Sequence, residues 1–220
     1  MKKKKIAVYG ASGFGREVAS LIQSNDNYDV PCFIDDDTSM QQVCVNGIPV
    51  MNFETACSRF CNFSIAGGIG NPKIREFLMK KVVAAGLEVE TITHPCVEMS
   101  KWIEIGTGTI ICAGSILTTN ILLGKYVQIN LSCTIGHDVI MGDYTTLAPG
   151  VHVSGWVHFG KRVYVGTGAV IINGTKENPI VINDDAVIGA GACVTKSVPA
   201  GQTWVGVPAK VIKSVEQENT

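Results

Sequence analysis

The sequence predicts a short α/β head of Rossmann-like βαβαβ type, followed by a parallel β-helix of hexapeptide repeats. Three observations carry this. Bulky apolar residues recur every six positions from Ile105, Ile111 and Leu117 through to Val165 and Ile171 without a miss. Residues 4–95 lack that period and alternate short apolar runs with helical spacing, and the first of those runs ends in a glycine turn. The expected boundaries are 1–95 for the head and 96–220 for the β-helix.

In the head, Ile6-Ala7-Val8-Tyr9 reads as a strand, Gly10-Ala11-Ser12-Gly13-Phe14-Gly15 as a turn, and Val18, Leu21 and Ile22 as the apolar stripe of a helix. A second strand over 30–34 ends in Asp35-Asp36-Asp37. A third over 63–69 ends in Gly70-Asn71-Pro72, with a helix over 73–85. Ligands of open parallel sheets sit beyond the carboxyl ends of the strands, which is where these turns meet. Backbone N–H groups near Gly13 and Phe14 are placed to hold phosphate, and the aspartates to accept from ribose or base. The plain alternatives are a tight turn, a solvated loop end and, for Asn71, Lys73 and Arg75, helix capping and surface charge in place of phosphate or sugar binding. The spacing G-x-x-G-x-G departs from the dinucleotide fingerprint and the head is short, which counts against a dehydrogenase.

From residue 103 onward, three hexads make a triangular coil of 18 residues whose inward side chains stack roughly 4.8 Å apart. The position after each aliphatic is mostly small or polar (Gly106, Gly124, Gly136, Gly142, Gly160, Gly166) and reads as the corner, where positive φ and a missing Cβ both help. A smaller set two positions before each aliphatic, such as Val127, Val139 and Ala169, fills the prism edges. The phase breaks at 173–179 and resumes at Ile182, Ile188 and Val194, predicting a projecting loop.

At 220 residues, 46% hydrophobic content and net charge −1, the chain suits a soluble globular protein and disfavours nucleic acid. The apolar run after Met1-Lys2-Lys3-Lys4-Lys5 is too short for a signal sequence or membrane span, so a cytoplasmic location is expected. Eight cysteines without a CxxC pair argue for buried fillers, Cys112 and Cys133 among them, and against a zinc site.

With this head and these hexads, Gly136-His137-Asp138 at one corner and the closing Gly206-Val207-Pro208-Ala209-Lys210 complete a pattern that resembles the bacterial sugar O- or N-acyltransferases of the hexapeptide type. These include PglD-like nucleotide-amino-sugar N-acetyltransferases and NeuD-like sialic acid O-acetyltransferases. The resemblance implies a left-handed β-helix, a homotrimer of parallel prisms, acetyl-CoA as cosubstrate in the groove between neighbours, no metal, and a UDP-linked amino sugar as acceptor. It makes His137 the general base and Asp138 its orienting partner. Ser12, Gly13, Phe14, Asp35 and Asp36 match the segments that hold the nucleotide, with Asn71 beside them. Gly155, Gly166 and Thr167 match segments that contact CoA. Relatives carry a second histidine nine residues after the base; here it is Thr146, whose hydroxyl is still able to donate a hydrogen bond near the acetyl group.

Direct transfer needs a base that accepts a proton near neutral pH, which imidazole does with an ordinary pKa of about 6.5, and it needs no cysteine or serine nucleophile. One coil above His137 stands Gly155, whose missing side chain leaves room for a thioester and whose N–H is a candidate oxyanion donor. His152, His158 and Trp156 are expected outside the core, Trp156 beside the acetyl site or at a trimer contact. Rival readings are sialic acid O-acetylation, a non-catalytic nucleotide-sugar-binding trimer, and a zinc enzyme. The last is disfavoured because His152 and His158 are six apart, not five.

Overall fold

The computed structural model describes residues 3–41 and 43–212. They form two compact units: residues up to His94 with Thr107–Ile110, and Pro95–Gly106 with the chain from Ile111 onward.

The first unit is built on β1 (Lys4–Tyr9), whose last four residues are buried. Helix α1 (Gly13–Gln23) follows and buries Gly15, Val18, Ala19, Leu21 and Ile22 along one stripe, the stripe anticipated from the spacing. The second strand is interrupted: β2 (Tyr28–Asp29) pairs with Lys4 and Lys5, and β3 (Phe33–Ile34) pairs with Val8 and Tyr9. Pro31 lies in the gap, and without an N–H it cannot take part in the ladder as a donor. An unforeseen hairpin then follows, β4 (Cys44–Val45) antiparallel to β5 (Ile48–Met51), with β5 parallel to β3. Its two-residue turn, Asn46 and Gly47, has φ of 51° and 77°, the pair of left-handed conformations that matches hairpin twist. Helix α2 (Phe53–Arg59) leads to β6 (Phe63–Gly67), which lies parallel to β1 on its other side. Helix α3 (Pro72–Ala84) starts at a proline, whose missing N–H costs nothing at a helix start.

The second unit is a parallel β-helix with three faces. On one, Thr134 pairs with His152, eighteen residues on. The other two faces keep the same step, Gln128 with Thr146 and Leu122 with Ile140. Ile111, Ile129, Leu147, Val165, Ile171 and Ile188 are wholly buried, as are Val127, Val139, Val151, Val157, Val163 and Ala169 of the second inward set. At roughly 1.5–3 kcal/mol for each large aliphatic, this continuous column outweighs anything that two- and three-residue strands would contribute alone. Beyond the break at 173–179 the step becomes twenty-three, with Tyr164 against Val187 and Val170 against Cys193, so five extra residues leave the prism there.

One expectation about the corners separates into two positions. At the residue after the aliphatic, several coils leave no room for a side chain: a Cβ on Gly106, Gly142 or Gly166 would fall 2.4 to 2.5 Å from backbone of the next coil. Positive φ occurs two residues later, at Asn120, Tyr126, Ser132, Asp138, Tyr144, Trp156 and Arg162, with Gly108, Gly114, Gly150 and Gly168 completing the ladders. Tight stacking fixes the first position and chain reversal the second. No described helix is long and apolar enough to cross a membrane.

Candidate active site

Asp138 occupies one of these reversed positions, with φ 57° and its N–H donating to the Thr119 carbonyl at 3.2 Å. Sequence neighbours in extended backbone point apart. Here the left-handed turn folds the carboxylate back, and His137 Nδ1 lies 2.8 Å from Asp138 Oδ2. A carboxylate has no proton to give, so the neutral imidazole must carry its hydrogen on Nδ1, leaving the Nε2 lone pair as base. His137 is 55% exposed, open to a substrate.

Gly155 stands where the eighteen-residue step puts it. A Cβ there would come within 2.5 Å of both His137 Cε1 and Nε2, so any larger residue would displace the imidazole from this position. Its carbonyl accepts from Gly174 N–H at 3.0 Å, while its own N–H has no partner among the described residues. Beneath it Gly136 is obligatory, since a Cβ would lie 2.7 Å from the Gly155 nitrogen. Trp156 follows, its N–H donating to the His137 carbonyl at 3.1 Å and its ring standing at 83° to the imidazole, centroids 6.4 Å apart.

Thr146 and Gly166-Thr167 belong elsewhere in the protomer. Thr146 is buried and lies between Gln128 and Tyr164, on a different face from the strand Thr134–Ile135 that leads to His137. Gly166 follows the strand Tyr164–Val165 of that same face and packs under Ala190; Thr167 is exposed, its carbonyl bound by Gly191 N–H at 2.8 Å. Within one chain, then, His137, Asp138, Gly155 and Trp156 form one group, and Thr146, Gly166 and Thr167 another. His152 is exposed, its Nδ1 2.8 Å from the Thr134 hydroxyl, and His158 is half-buried between Ile140 and Val181. Burial pushes the Cys133 thiol up to about 11, which keeps it protonated and unreactive.

In the head, Ser12 caps α1 through its backbone and its hydroxyl makes no capping bond. Ser12 and Gly13 are exposed and Phe14 half-buried. Asp35 accepts from Ala11 N–H at 3.0 Å, tying the glycine turn to the end of β3. Asp36 accepts from the Tyr9 hydroxyl, from Phe53 N–H at 3.2 Å and from Lys81 at 3.1 Å. Burial works against that carboxylate's charge, but these three donors and the lysine charge outweigh it and hold the pKa below the ordinary value. Asp35 therefore braces the turn backbone, and Asp36 ties β1, α2 and α3 together. Asn71 caps α3, accepting from Lys73 and Ile74 N–H at 3.0 and 3.2 Å. Arg75, a candidate phosphate contact from sequence, is instead 1% exposed, its Nη1 donating to the Ile69 and Gly70 carbonyls at 2.7 and 3.2 Å. It fixes the loop after β6 from within, a role that its charge alone did not signal. Among the described residues no three His, Cys, Asp or Glu side chains are grouped to hold a metal ion.

Comparison with known proteins bears on the family and the fold. Residues 5–82 match the family described as the PglD N-terminal domain. A GDP-perosamine N-acetyltransferase from Escherichia coli O157:H7 is 34% identical, over 94% of this chain and 95% of that protein. WeeI from Acinetobacter baumannii AYE is similar in structure, with TM-score 0.90 and 36% identity over 96% of this chain and 100% of that one. The acetyltransferase domain of PglB from Neisseria gonorrhoeae FA1090, solved with acetyl coenzyme A, gives TM-score 0.86 and 30% identity at the same coverage, 96% and 100%. By its α/β head, its hexapeptide prism and a near full-length relative, this chain belongs to the PglD-like family of hexapeptide-repeat sugar acetyltransferases, acetyl-CoA-dependent enzymes.

Proposed function

We propose that the protein transfers the acetyl group of acetyl-CoA to the amine of a nucleoside-diphosphate-linked amino sugar, directly and with His137 as general base. The observation that carries this reading is the Nδ1 to carboxylate contact of 2.8 Å, which leaves Nε2 basic at the one corner where Gly155 clears space. The neutral amine attacks the thioester carbon. Its proton passes to Nε2, and Asp138 stabilises the imidazolium. The Gly155 N–H receives the developing oxyanion. On collapse the carbon–sulfur bond breaks and the imidazolium returns a proton to sulfur, giving the amide and free CoA thiol.

In the head, the exposed amides at the start of α1 suit a diphosphate. The name of the E. coli relative favours a guanosine nucleotide over the uridine expected from sequence. Trimerisation is part of the reading. Ile116, Leu122, Ile140 and Val170 are 39 to 42% exposed on two outer faces of the prism, apolar surface that neighbouring prisms would cover. A groove between prisms would also let Thr146, Gly166 and Thr167 of one protomer serve the His137 corner of another. The joint substrates agree with a cytoplasmic location.

The test is release of free CoA thiol with a panel of GDP- and UDP-linked amino sugars and with sialic acid. His137→Ala should leave the oligomer intact and lower kcat at least about a hundredfold. Near-normal turnover in that variant removes His137 as base, and turnover with sialic acid alone removes N-acetylation.

A further inference from the structure

Trp156 has no place in the mechanism above, yet its backbone is fixed from both sides at the His137 corner. Its backbone is bracketed by the coils on both sides, its N–H bound to the His137 carbonyl at 3.1 Å and its carbonyl bound by Ile180 N–H at 3.0 Å. The left-handed ladder that runs through Asn120, Asp138 and Trp156 would next place residue 174 over the indole in the same conformation. Instead Gly174 departs from it, and the five extra residues leave the prism here. A Cβ on Gly174 would sit 2.5 Å from the Trp156 carbonyl oxygen, so the root of the loop is pressed onto this residue's backbone. The backbone is clamped at this point, and only two side-chain torsions then set where the indole lies.

We infer that Trp156 sets the acyl-chain length accepted by the enzyme, its indole closing the space beyond the acetyl methyl. The inference rests on the transfer reading above. If the thioester carbon lies between His137 Nε2 and the Gly155 N–H, its oxygen points to that amide and the attacking amine to the imidazole. The remaining apolar substituent is the acyl chain, and the apolar surface beside Gly155 is the indole, perpendicular to the imidazole at 6.4 Å.

The test compares kcat/KM for acetyl-, propionyl- and butyryl-CoA in the wild type and in Trp156→Asn. Asparagine is chosen because Asn120 already occupies this ladder with φ 54°, so the backbone is not strained by the change. The butyryl to acetyl ratio should rise about tenfold or more, since each methylene in a closed pocket commonly discriminates by roughly 10- to 200-fold. Acceptor KM should stay the same, and Trp156→Phe should fall between. Calorimetric affinities for acetyl- and butyryl-CoA provide a readout that needs no acceptor, so a wild type inactive on every sugar tried would fault the acceptor reading while the role of the indole remained under test. An unchanged chain-length preference in both measurements overturns the inference. So does a change in acceptor KM with acyl preference intact.

Discussion

In the head, Gly10, Gly15 and Gly68 interlock backbone against backbone: a Cβ on Gly15 would lie 1.9 Å from the Gly10 carbonyl oxygen, and one on Gly68 would lie 2.7 Å from the Gly15 Cα. In the prism, Gly155 faces the tip of an imidazole, at 2.5 Å for the same added atom. At Gly15 and at Gly155 the space a side chain needs is already taken, yet what fills that space differs. Backbone in a sheet cannot retreat without breaking ladder bonds, whereas a side chain on a corner can turn about χ1. The head uses its missing side chains to build architecture; the prism does so at Gly106, Gly142 and Gly166, and at Gly155 it uses one to set reactivity.

Substitution at Gly15 and at Gly155 separates the two roles. Gly15→Ala should be the most damaging change, costing about 4 kcal/mol or more of head stability because α1 must leave the end of β1. Hydrogen exchange would show it as lost protection of β1 and β6 amides with the prism amides still protected. An unaltered exchange pattern would refute the interlock. Gly155→Ala should do the reverse. The imidazole swings off the Asp138 carboxylate, kcat drops about a hundredfold, and the denaturation midpoint of the prism hardly moves. A large loss of prism stability there would mean that His137 is packed rather than poised.

The two regions were also unequally readable from sequence. A strict period of six makes each residue's face a matter of counting, and so the column, the Gly155 position above His137 and the break at 173–179 followed directly. Counting did not reveal that the reversed φ falls at Asp138 and Trp156, because any residue can be forced into that conformation when its neighbours are stacked on both sides. Contact between His137 and Asp138 depends on that backbone detail. In the head, the Asn46-Gly47 turn carried a local hairpin signal that the helix and strand periods obscured. The burial of Arg75 had no local signal, since its acceptors, the Ile69 and Gly70 carbonyls, are presented to it only once β6 and α3 have packed.

The smallest expected effect concerns charge, and it sharpens the contrast by touching the head alone. Asp36 joins Tyr9 of β1, the start of α2 and Lys81 of α3, and its pKa is held below the ordinary 3.8 although burial opposes this. A carboxylate with a depressed folded pKa contributes its full stabilisation above the ordinary value and loses it as pH falls through the folded value. Asp36→Asn should therefore lower head stability at neutral pH, and the gap between variant and wild type should close progressively below about pH 4. The side chain is 40% exposed, so solvent screens the lysine pair and the neutral-pH difference should be about 1 kcal/mol or less. Exchange protection of β1, α2 and α3 against pH is the measurement. A gap that persisted at pH 2, or that appeared equally in the prism, would show that Asp36 acts through shape and not through its charge, and the bracing of the head by this carboxylate would have to be abandoned.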